Sequence, residues 1–572
     1  MAQTAKKAGA RPAQEVVVHS GNEIAAVAAK HVNYHIMGYY PITPSTEIAE
    51  TLDAMKAEGE HDIRMIPGDG EHGAAGICYG ATTAGGRVFN ATSANGLLFG
   101  FEQLPVQSGT RFPMVFNIVT RAVSGPLDIR GDHSDIMLAM NTGWKAVYDM
   151  NIMAPKIGEE MSVRLPVFVA YDGFFTSHQK RRVEIFAEDA TVRDFLGPFV
   201  ATVTSLDPKK PVTIGPYMND PDQINNKKQQ ADAIVRADAV IKKVFAEYAK
   251  LSGREYPVVE LYRMEDAESA LFILNSAAET AKEAVDALRK QGKKVGLIRP
   301  NVIRPFPQKE IRDALKKVKG LVVADRQDNF GAYGGAMTIE VKAALQGIKG
   351  NSTQVAGRIY GVGGKEFFVE DAEAMLKEAL EIAKTGIVAV PYDYFGVNPG
   401  EKGYEPPKAF DPIAEEEASG LVRIETSPEG KMEVRGLNMR ALTERPKRIS
   451  SGHGACPGCG IFVNLNTFLK GIEGFVTVLF HTGCGMVVTT GYPYTSHKIT
   501  YIHNLFQNGA ATLSGVVEMF EERKKRGEIP KDEKITFLMV TGDGGHDIGI
   551  GPSLGAAARN SRMIIIEYDN QG

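Results

Sequence analysis

The sequence has few cysteines, a nearly balanced charge and no long apolar run. Only four cysteines occur among 572 residues, which argues against a disulfide framework. No run of about 18 apolar residues is present, so no segment is expected to span a membrane. The formal net charge is −4, and this balance indicates neither a nucleic-acid nor a membrane partner. The composition is that of an ordinary globular protein.

The first 14 residues are basic and rich in small side chains, but they lack the apolar segment of a secretory signal. Residues 1–14 are therefore predicted to be a disordered tail, and a cytoplasmic location is the default expectation. The chain is too long for one hydrophobic core, so several domains are expected.

Apolar strand-like runs alternate with helical stretches along nearly the whole chain, and this pattern predicts parallel α/β layers. Glycine is abundant, with 60 residues, and collects in short turns between apolar runs. The first block of alternating elements is residues 15–260, the second is 261–395, and the third is 451–572. Residues 396–450 are rich in proline, glycine and glutamate and are interpreted as a linker.

A glycine-rich turn in the third block indicates a phosphate and Mg²⁺ site. The strand-like run Ile535–Thr541 leads directly into Gly542, Asp543 and Gly544. Backbone N–H groups of such a turn can cradle a phosphate. Asp543 and Asn570, each after a strand, offer hard oxygen ligands for Mg²⁺. The alternative is a glycine loop in which the aspartate only caps a helix, but the combination with Asn570 favours thiamine diphosphate.

Three cysteines of the third block are candidate metal ligands: Cys456, Cys459 and Cys484. Thiolate ligands select zinc or an iron–sulfur cluster, and both normally take four ligands. The remaining cysteine, Cys78, lies in a distant block. His453 or His481 would complete a zinc site, so the spacing by itself leaves zinc open.

In the first block, Thr43 and Glu71 stand at predicted helix starts. A helix is predicted from Pro44 to about Ala57, with Thr43 as its N-cap. Its hydroxyl and the helix-end N–H groups would face an anionic substrate, or Thr43 is only a well-made cap. Glu71 opens a helix of small residues, where the helix dipole alone favours a carboxylate. A buried glutamate there also suits proton exchange with the aminopyrimidine of thiamine.

Arg121 follows the strand-like run Met114–Val119. Its guanidinium is a candidate to fork onto a substrate carboxylate. The alternative is a structural ion pair with Asp132 or Asp135.

Six motifs in order resemble those of the 2-oxoacid:ferredoxin oxidoreductases, and the middle of the chain resembles the pyruvate enzymes in particular. They are Tyr40-Pro41-Ile42-Thr43-Pro44, Glu71-His72-Gly73-Ala74-Ala75-Gly76, Gly131-Asp132-His133-Ser134-Asp135, Asp172-Gly173-Phe174-Phe175-Thr176-Ser177-His178, Cys456-Pro457-Gly458-Cys459-Gly460 and Gly542-Asp543-Gly544. The resemblance covers nearly all of residues 15–572.

The resemblance implies a multidomain α/β fold, with parallel sheets of the thiamine-diphosphate-binding type flanked by helices and a transketolase C-terminal-like domain. Residues 15–260 would be the α-type domain that binds the pyrimidine, and residues 261–395 the transketolase-like domain. After the linker, residues 451–572 would be an incomplete β-type domain that binds the diphosphate and carries the cluster ligands.

The resemblance also implies roles for individual residues. Glu71 would activate the aminopyrimidine, Thr43 and Arg121 would hold the 2-oxoacid, and Gly542, Asp543, Gly544 and Asn570 would bind the diphosphate end of the cofactor. The Mg²⁺ ligands would be Asp543, Asn570 and the backbone of Gly572. Cys456, Cys459 and Cys484 would be three of the four ligands of a 4Fe-4S cluster.

The implied reaction is oxidative decarboxylation of pyruvate or a related 2-oxoacid to acyl-CoA and CO₂, with one-electron transfer through iron–sulfur to ferredoxin or a similar acceptor. The family's γ-type domain, implicated in coenzyme A binding, and its ferredoxin-like domain are not visible in the sequence. Separate γ-type and ferredoxin-like subunits, in a dimer of heteromers, are therefore expected. The chain is interpreted as truncated, with the fourth cluster cysteine beyond Gly572.

Two alternatives remain at the level of sequence. A non-oxidative thiamine-dependent decarboxylase or synthase would need no cluster. A zinc-stabilised, non-catalytic assembly subunit would bind metal but no thiamine diphosphate.

Overall fold

The protein, described here by a computed structural model, divides into two compact units, Met1–Pro399 and Gly400–Gly572. The structure describes residues 11–569, except 124–127, 140–146, most of 203–221, 398–421 and 492–493. Most of the predicted tail, part of the predicted linker, and both Asn570 and Gly572 lie outside the described residues. Among the helices that are described, none is long and apolar enough to cross a bilayer.

The first half of unit 1 is a five-stranded sheet with helices around it. In chain order its elements are β1 (Gln14–His19), α1 (Gly21–Val32), β2 (Ile36–Tyr39), α2 (Thr46–Ala57), β3 (Arg64–Pro67), α3 (Glu71–Thr83), β4 (Val88–Thr92), α4 (Ala94–Phe99), α5 (Gln103–Gly109), β5 (Val115–Thr120), α6 (Ser134–Ala139), α7 (Val147–Glu159), β6 (Val167–Asp172), β7 (Arg181–Phe186), α8 (Asp189–Leu196) and α9 (Asp222–Ser252).

The strands of this sheet run in the order β3-β2-β4-β5-β6, all in parallel. Every residue of β4 and β5 is buried, so neither strand has the alternating apolar and polar pattern of a half-exposed strand. β1 and β7 form a separate antiparallel pair. The carboxyl ends of the parallel strands share one edge, where open α/β sheets bind ligands.

The second half of unit 1 is a six-stranded sheet. Its elements are β8 (Val259–Tyr262), β9 (Ser269–Ile273), α10 (Ala277–Lys290), β10 (Val295–Pro300), α11 (Gln308–Leu315), β11 (Gly320–Asp325), α12 (Ala336–Leu345), β12 (Gln354–Ile359), a 3-10 turn (Val362–Gly364), α13 (Val369–Thr385) and β13 (Tyr392–Tyr394). The strand order is β13-β12-β11-β9-β10-β8, and only β8 runs antiparallel to its neighbour. We call this half domain II.

One hydrophobic core runs through both halves of unit 1. It joins side chains of the first sheet, such as Val119, to side chains of domain II, such as Phe272 and Leu321. Burial of apolar surface therefore holds the two halves together as well as each half separately.

Unit 2 contains a four-stranded parallel sheet in the order β19-β16-β20-β21. Its elements are β14 (Val422–Thr426), β15 (Met432–Leu437), α14 (Met439–Glu444), α15 (Ile461–Gly471), β16 (Phe475–His481), α16 (Cys484–Val487), β17 (Thr490–Gly491), β18 (Tyr494–Thr495), β19 (Thr500–Asn504), α17 (Gly509–Lys525), β20 (Ile535–Gly542), α18 (Asp543–Ile548), α19 (Ile550–Ala558) and β21 (Ile564–Tyr568). Side chains of β16, α17 and β20 form its core.

The α/β prediction is confirmed in both units. The strand-like run Met114–Val119 corresponds to β5, which begins and ends one residue later, and the predicted strand Ile535–Thr541 is β20 with one residue added. Strands were readable because they are buried on both faces and end in glycine or polar residues.

Candidate functional site

Glu71 is the first residue of α3, as the sequence predicts, and its side chain faces inward. Only 7% of the residue surface is exposed. Burial raises the pKa of this carboxyl to about 7, although the Arg121 charge acts in the opposite direction. The group is therefore poised to hold or release a proton near neutral pH.

Gly96 of α4 makes room for the Glu71 carboxyl. A Cβ atom built at Gly96 would lie 2.4 Å from Glu71 Oε1 and 2.7 Å from Thr92 Oγ1. The backbone of α4 thus packs directly on the carboxylate, and only glycine permits this approach. Gly96 is not recognisable from the sequence, because a glycine inside a short helix gives no signal of what it touches.

Arg121 lies directly after β5, and its side chain is almost completely buried. Its Nη1 donates a hydrogen bond of 2.7 Å to the carbonyl of Thr43. Its Nε is buried and has no hydrogen-bond partner among the described residues. A buried N–H group without an acceptor is costly, and a bound anion would satisfy it.

The predicted N-cap role of Thr43 is wrong. Helix α2 begins at Thr46, with Ser45 as the N-cap residue. An N-cap carbonyl accepts the first hydrogen bond of its helix, but the Thr43 carbonyl accepts from Arg121 and the Pro44 carbonyl accepts from Asn22 Nδ2 at 2.7 Å. Both carbonyls thus bind side chains that are distant in sequence, and the local sequence does not reveal these contacts.

Asp135 is a functional candidate, although the sequence indicates it only as a possible ion-pair partner of Arg121. It is fully buried, and its Oδ2 accepts hydrogen bonds from the main-chain N–H groups of Arg121 (3.0 Å) and Ala94 (2.8 Å). Burial raises the pKa of this carboxyl to about 7. Asp135 therefore fixes the backbone at the base of Arg121 and the start of α4.

The described part of unit 1 thus brings Glu71, Thr43 and Arg121 into one neighbourhood at the carboxyl edge of the sheet. A buried carboxyl group able to exchange a proton lies within electrostatic reach of a buried guanidinium. Burial lowers the pKa of Arg121, while nearby carboxylates counteract this effect. Such a pair can hold a proton and orient an anion.

In unit 2, Asp543 is the first residue of α18 and follows Gly542 at the end of β20. Its Oδ1 is buried and has no hydrogen-bond partner within the described residues. A buried carboxylate oxygen in this situation suits a bound cation. Asn570 and Gly572, the other predicted Mg²⁺ ligands, lie outside the described residues.

The three candidate cluster cysteines also lie in unit 2. Cys459 N–H donates to the Cys456 carbonyl at 3.1 Å, which closes a tight loop, and Cys484 begins α16. Tyr568 lies beside them, and its hydroxyl accepts from Gly485 N–H at 2.9 Å. Burial raises the pKa of the Cys484 thiol, and the thiols of Cys459 and Cys456 raise it further. Within the described ranges, no three metal-binding side chains are arranged around one point.

His481 is a poor candidate for the fourth ligand of a zinc site. Its Nε2 accepts from Gly509 N–H at 2.7 Å, and its Nδ1 is hydrogen-bonded to Thr541 Oγ1 at 2.9 Å. Both ring nitrogens are therefore engaged, and the lone pair that a metal needs is already used. His453 Nδ1 accepts from Ala455 N–H at 3.2 Å, and its ring stacks on Phe462.

Two family models match the chain. Residues 27–246 match the model described as pyruvate flavodoxin/ferredoxin oxidoreductase, thiamine diphosphate-binding. Residues 267–372 match core domain II of pyruvate:ferredoxin oxidoreductase.

Two relatives are similar over nearly their whole length. Pyruvate synthase subunit PorA of Methanocaldococcus jannaschii is 36% identical over 372 residues, which is 63% of this chain and 94% of the relative. Ketoisovalerate oxidoreductase subunit VorA of Pyrococcus horikoshii is 36% identical over 384 residues, or 66% of this chain and 96% of the relative.

Among solved structures, 2-oxoglutarate:ferredoxin oxidoreductase from Magnetococcus marinus is similar with a TM-score of 0.50 and 18% identity. The likeness covers 64% of this chain and 65% of that one. At this identity it indicates a common fold and nothing about the substrate.

Proposed function

The chain belongs to the 2-oxoacid:ferredoxin oxidoreductase family, and on that premise we propose that it carries out oxidative decarboxylation of a 2-oxoacid to an acyl-CoA and CO₂. Electrons pass one at a time through iron–sulfur to ferredoxin or a similar acceptor. The observation that carries the proposal is the buried pair of Glu71, with a pKa near 7, and Arg121, with an unsatisfied Nε.

Residues 27–246 form the thiamine diphosphate-binding region of this family. The structure contains features that fit the cofactor. Glu71 is a buried carboxyl group with a raised pKa, as the aminopyrimidine ring requires, and Gly96 lets the backbone of α4 pack on it without a clash. Thiamine diphosphate supplies the carbanion chemistry that allows a 2-oxoacid to lose CO₂.

In the reaction, Glu71 holds or accepts a proton at its carboxyl oxygen, and its burial keeps this proton exchange away from bulk water. Arg121 orients the substrate carboxylate through Nε, while its Nη1 stays anchored on the Thr43 carbonyl. Thr43 thereby acts through its main chain as well as by any contact of its hydroxyl. Asp135 keeps the Arg121 backbone in place.

Unit 2 supplies the metal-binding groups of the proposal. Gly542, Asp543, Gly544 and Asn570 bind the diphosphate end of the cofactor, and Asp543, Asn570 and the Gly572 carbonyl bind Mg²⁺. The unpartnered Oδ1 of Asp543 in the described chain supports this role. Cys456, Cys459 and Cys484 bind a 4Fe-4S cluster, as the resemblance to the family implies. The engaged ring nitrogens of His481 make this residue a poor fourth ligand for zinc.

The relatives are named as subunits, and we propose that this chain also works in a complex. Its partners are a γ-type subunit and a ferredoxin-like iron–sulfur subunit, arranged as a dimer of heteromers. Coenzyme A accepts the acyl group in that complex.

The test is electron transfer by the complex isolated under argon. Pyruvate, a branched-chain 2-oxoacid, an aromatic one and 2-oxoglutarate are each supplied with coenzyme A and a low-potential dye. We expect dye reduction that depends on both the 2-oxoacid and coenzyme A. Absence of reduction with every acid would contradict the proposal, and CO₂ release without dye reduction would indicate a non-oxidative decarboxylase.

A further inference from the structure

Asp172, the last residue of β6, binds domain II through a dense set of contacts. Both the N–H and the hydroxyl of Ser276 donate to its Oδ2, at 3.1 and 2.6 Å, and Asn275 Nδ2 donates to its Oδ1 at 2.9 Å. Arg326 Nη1 lies 3.6 Å from the same Oδ1. Burial alone would raise the pKa of Asp172, but His133 and Arg326 hold it well below its usual range. Asp172 is thus a buried anion shared between the two halves of unit 1.

His133 extends this network toward Arg121. Its Nε2 is 3.0 Å from Asp172 Oδ1, and its main-chain N–H donates to the Arg326 carbonyl at 3.1 Å. Both the ring and the backbone of His133 are therefore held by groups that domain II fixes. His133 belongs to the segment 130–135, which precedes and begins α6.

The segment 130–135 in turn holds the backbone at Arg121. Three successive main-chain N–H groups after β5 donate to it. The pairs are Arg121 with Asp135 Oδ2 at 3.0 Å, Ala122 with Arg130 O at 2.9 Å, and Val123 with Ser134 Oγ at 2.8 Å. The position of Arg121 therefore depends on where this segment lies.

A second contact of domain II touches the same region. Gly363 and Gly364 have φ values of +68° and +73°, in the left-handed region that favours glycine. A Cβ at Gly364 would lie 2.3 Å from Arg130 Cβ, and one at Gly363 would lie 2.8 Å from Asp128 Oδ2. The 3-10 turn of domain II thus packs closely against the start of the segment 130–135.

From these contacts we infer that domain II positions Arg121 for the substrate carboxylate, and that Asp172 is the positioning residue that connects them. The inference rests on the proposed substrate role of Arg121. It gives domain II a part in substrate binding through its contacts with Asp172 and the segment 130–135. A displacement of the Arg121 guanidinium by well under 1 Å would weaken its binding of a carboxylate, because the strength of a forked hydrogen bond depends on both distance and angle.

The test uses the intact complex with Asp172→Asn, which keeps the shape of the side chain but removes its charge. Ser276→Ala is the milder second variant, because it deletes one hydrogen bond and retains the Ser276 N–H. Glu378→Gln is the matched control. It weakens the ion pair of Glu378 with Arg358, which lies within domain II between α13 and β12.

Besides the melting temperature, three quantities are measured: the KM for pyruvate, the affinity for thiamine diphosphate, and the calorimetric Kd for oxamate. Oxamate is an unreactive analogue that carries the same carboxylate. We expect Asp172→Asn to raise both about tenfold, as small misplacement of a binding group does, and Ser276→Ala to raise them less. The affinity for thiamine diphosphate is expected to stay within about twofold of wild type. The control is expected to leave all three values unchanged.

Unchanged KM and Kd in Asp172→Asn would overturn the inference. The inference would also be overturned if Asp172→Asn lowered the cofactor affinity and the melting temperature in parallel and Glu378→Gln did the same. Such a result would show that the role of Asp172 is purely structural. A wild-type complex that binds oxamate but oxidises no 2-oxoacid would contradict the proposed function and leave the positioning of Arg121 supported by the Kd values.

Discussion

At the scale of single residues, burial decides the chemistry of the site more than residue type does. The sequence identified Glu71 and Arg121, because a carboxylate at a helix start and an arginine after a buried strand are recognisable patterns. It did not reveal the raised pKa of Glu71 or the unsatisfied Nε of Arg121, since both follow from neighbours far away in the sequence.

The raised pKa of Glu71 predicts a pH-dependent contribution to stability. Between its ordinary value of 4.5 and about 7, the folded chain holds a proton that the unfolded chain releases. The free energy of unfolding therefore falls as pH rises through this window, by on the order of 3 kcal/mol for this group. We expect Glu71→Gln to lack that loss, and urea unfolding of the cofactor-free chain at pH 4.5 and pH 8 measures the difference.

Other buried carboxyls also titrate, so the informative quantity is the difference between wild type and Glu71→Gln at each pH. A difference that stays constant from pH 4.5 to 8 would contradict the raised pKa. If Glu71→Gln becomes more stable relative to wild type as pH rises, the result agrees with the raised pKa of Glu71.

At the scale of secondary structure, close approach between elements determines what each position tolerates. The strands and most helices were predictable, because periodicity and glycine turns are local signals. The start of α2 was not predictable. The Thr43 and Pro44 carbonyls accept hydrogen bonds from Arg121 and Asn22, and these residues lie far away in the sequence. The contact of α4 with Glu71 was also unpredictable, since it joins segments that are separate in sequence.

Two glycine substitutions distinguish the effect of displacing the Glu71 carboxyl from the general effect of replacing a helical glycine by alanine. Gly96→Ala places a methyl group against Glu71 Oε1, and we expect the 2-oxoacid oxidation rate to fall by at least about tenfold as the carboxyl is displaced. Gly76→Ala in α3 is the control, because its Cβ meets no atom within 4 Å. It should stabilise the helix by about 0.5–1 kcal/mol and leave activity intact. Equal activity of the two variants would show that the space at Gly96 is not needed.

At the scale of the whole molecule, the two units divide the proposed chemistry. Unit 1 contributes the proton-holding and anion-binding groups, and unit 2 contributes Asp543 and the candidate cluster ligands Cys456, Cys459 and Cys484. The sequence motifs predicted these groups because each lies on a short stretch of chain. They did not predict that domain II holds the segment 130–135, because the contact joins stretches that are far apart in the sequence. Asp172 and His133 lie in the first half of unit 1, and their partners in domain II are Asn275, Ser276 and Arg326.

The proposed cluster ligation by cysteine predicts that replacing one of these cysteines removes iron selectively. Cys484→Ser removes one proposed cluster ligand, and we expect the complex to lose the visible absorption and the iron of that one cluster. Cys78→Ser is the matched control, because Cys78 is buried in unit 1 and its thiol contacts the Gly38 and Phe89 carbonyls. Iron analysis and absorption spectra of both variants provide the measurement. Equal iron in Cys484→Ser and wild type would exclude Cys484 as a ligand, and zinc in place of iron would support a structural metal site.

The central claim is that this chain couples loss of CO₂ from a 2-oxoacid to one-electron reduction of iron–sulfur, with Glu71 as the proton-holding group. Single-turnover EPR of the complex, mixed under argon with the 2-oxoacid that supports the highest dye-reduction rate, tests it most directly. We expect a reduced-cluster signal in wild type and none in Glu71→Gln, while dithionite still reduces the cluster in both. An equal signal in Glu71→Gln, or no signal in wild type, would contradict it.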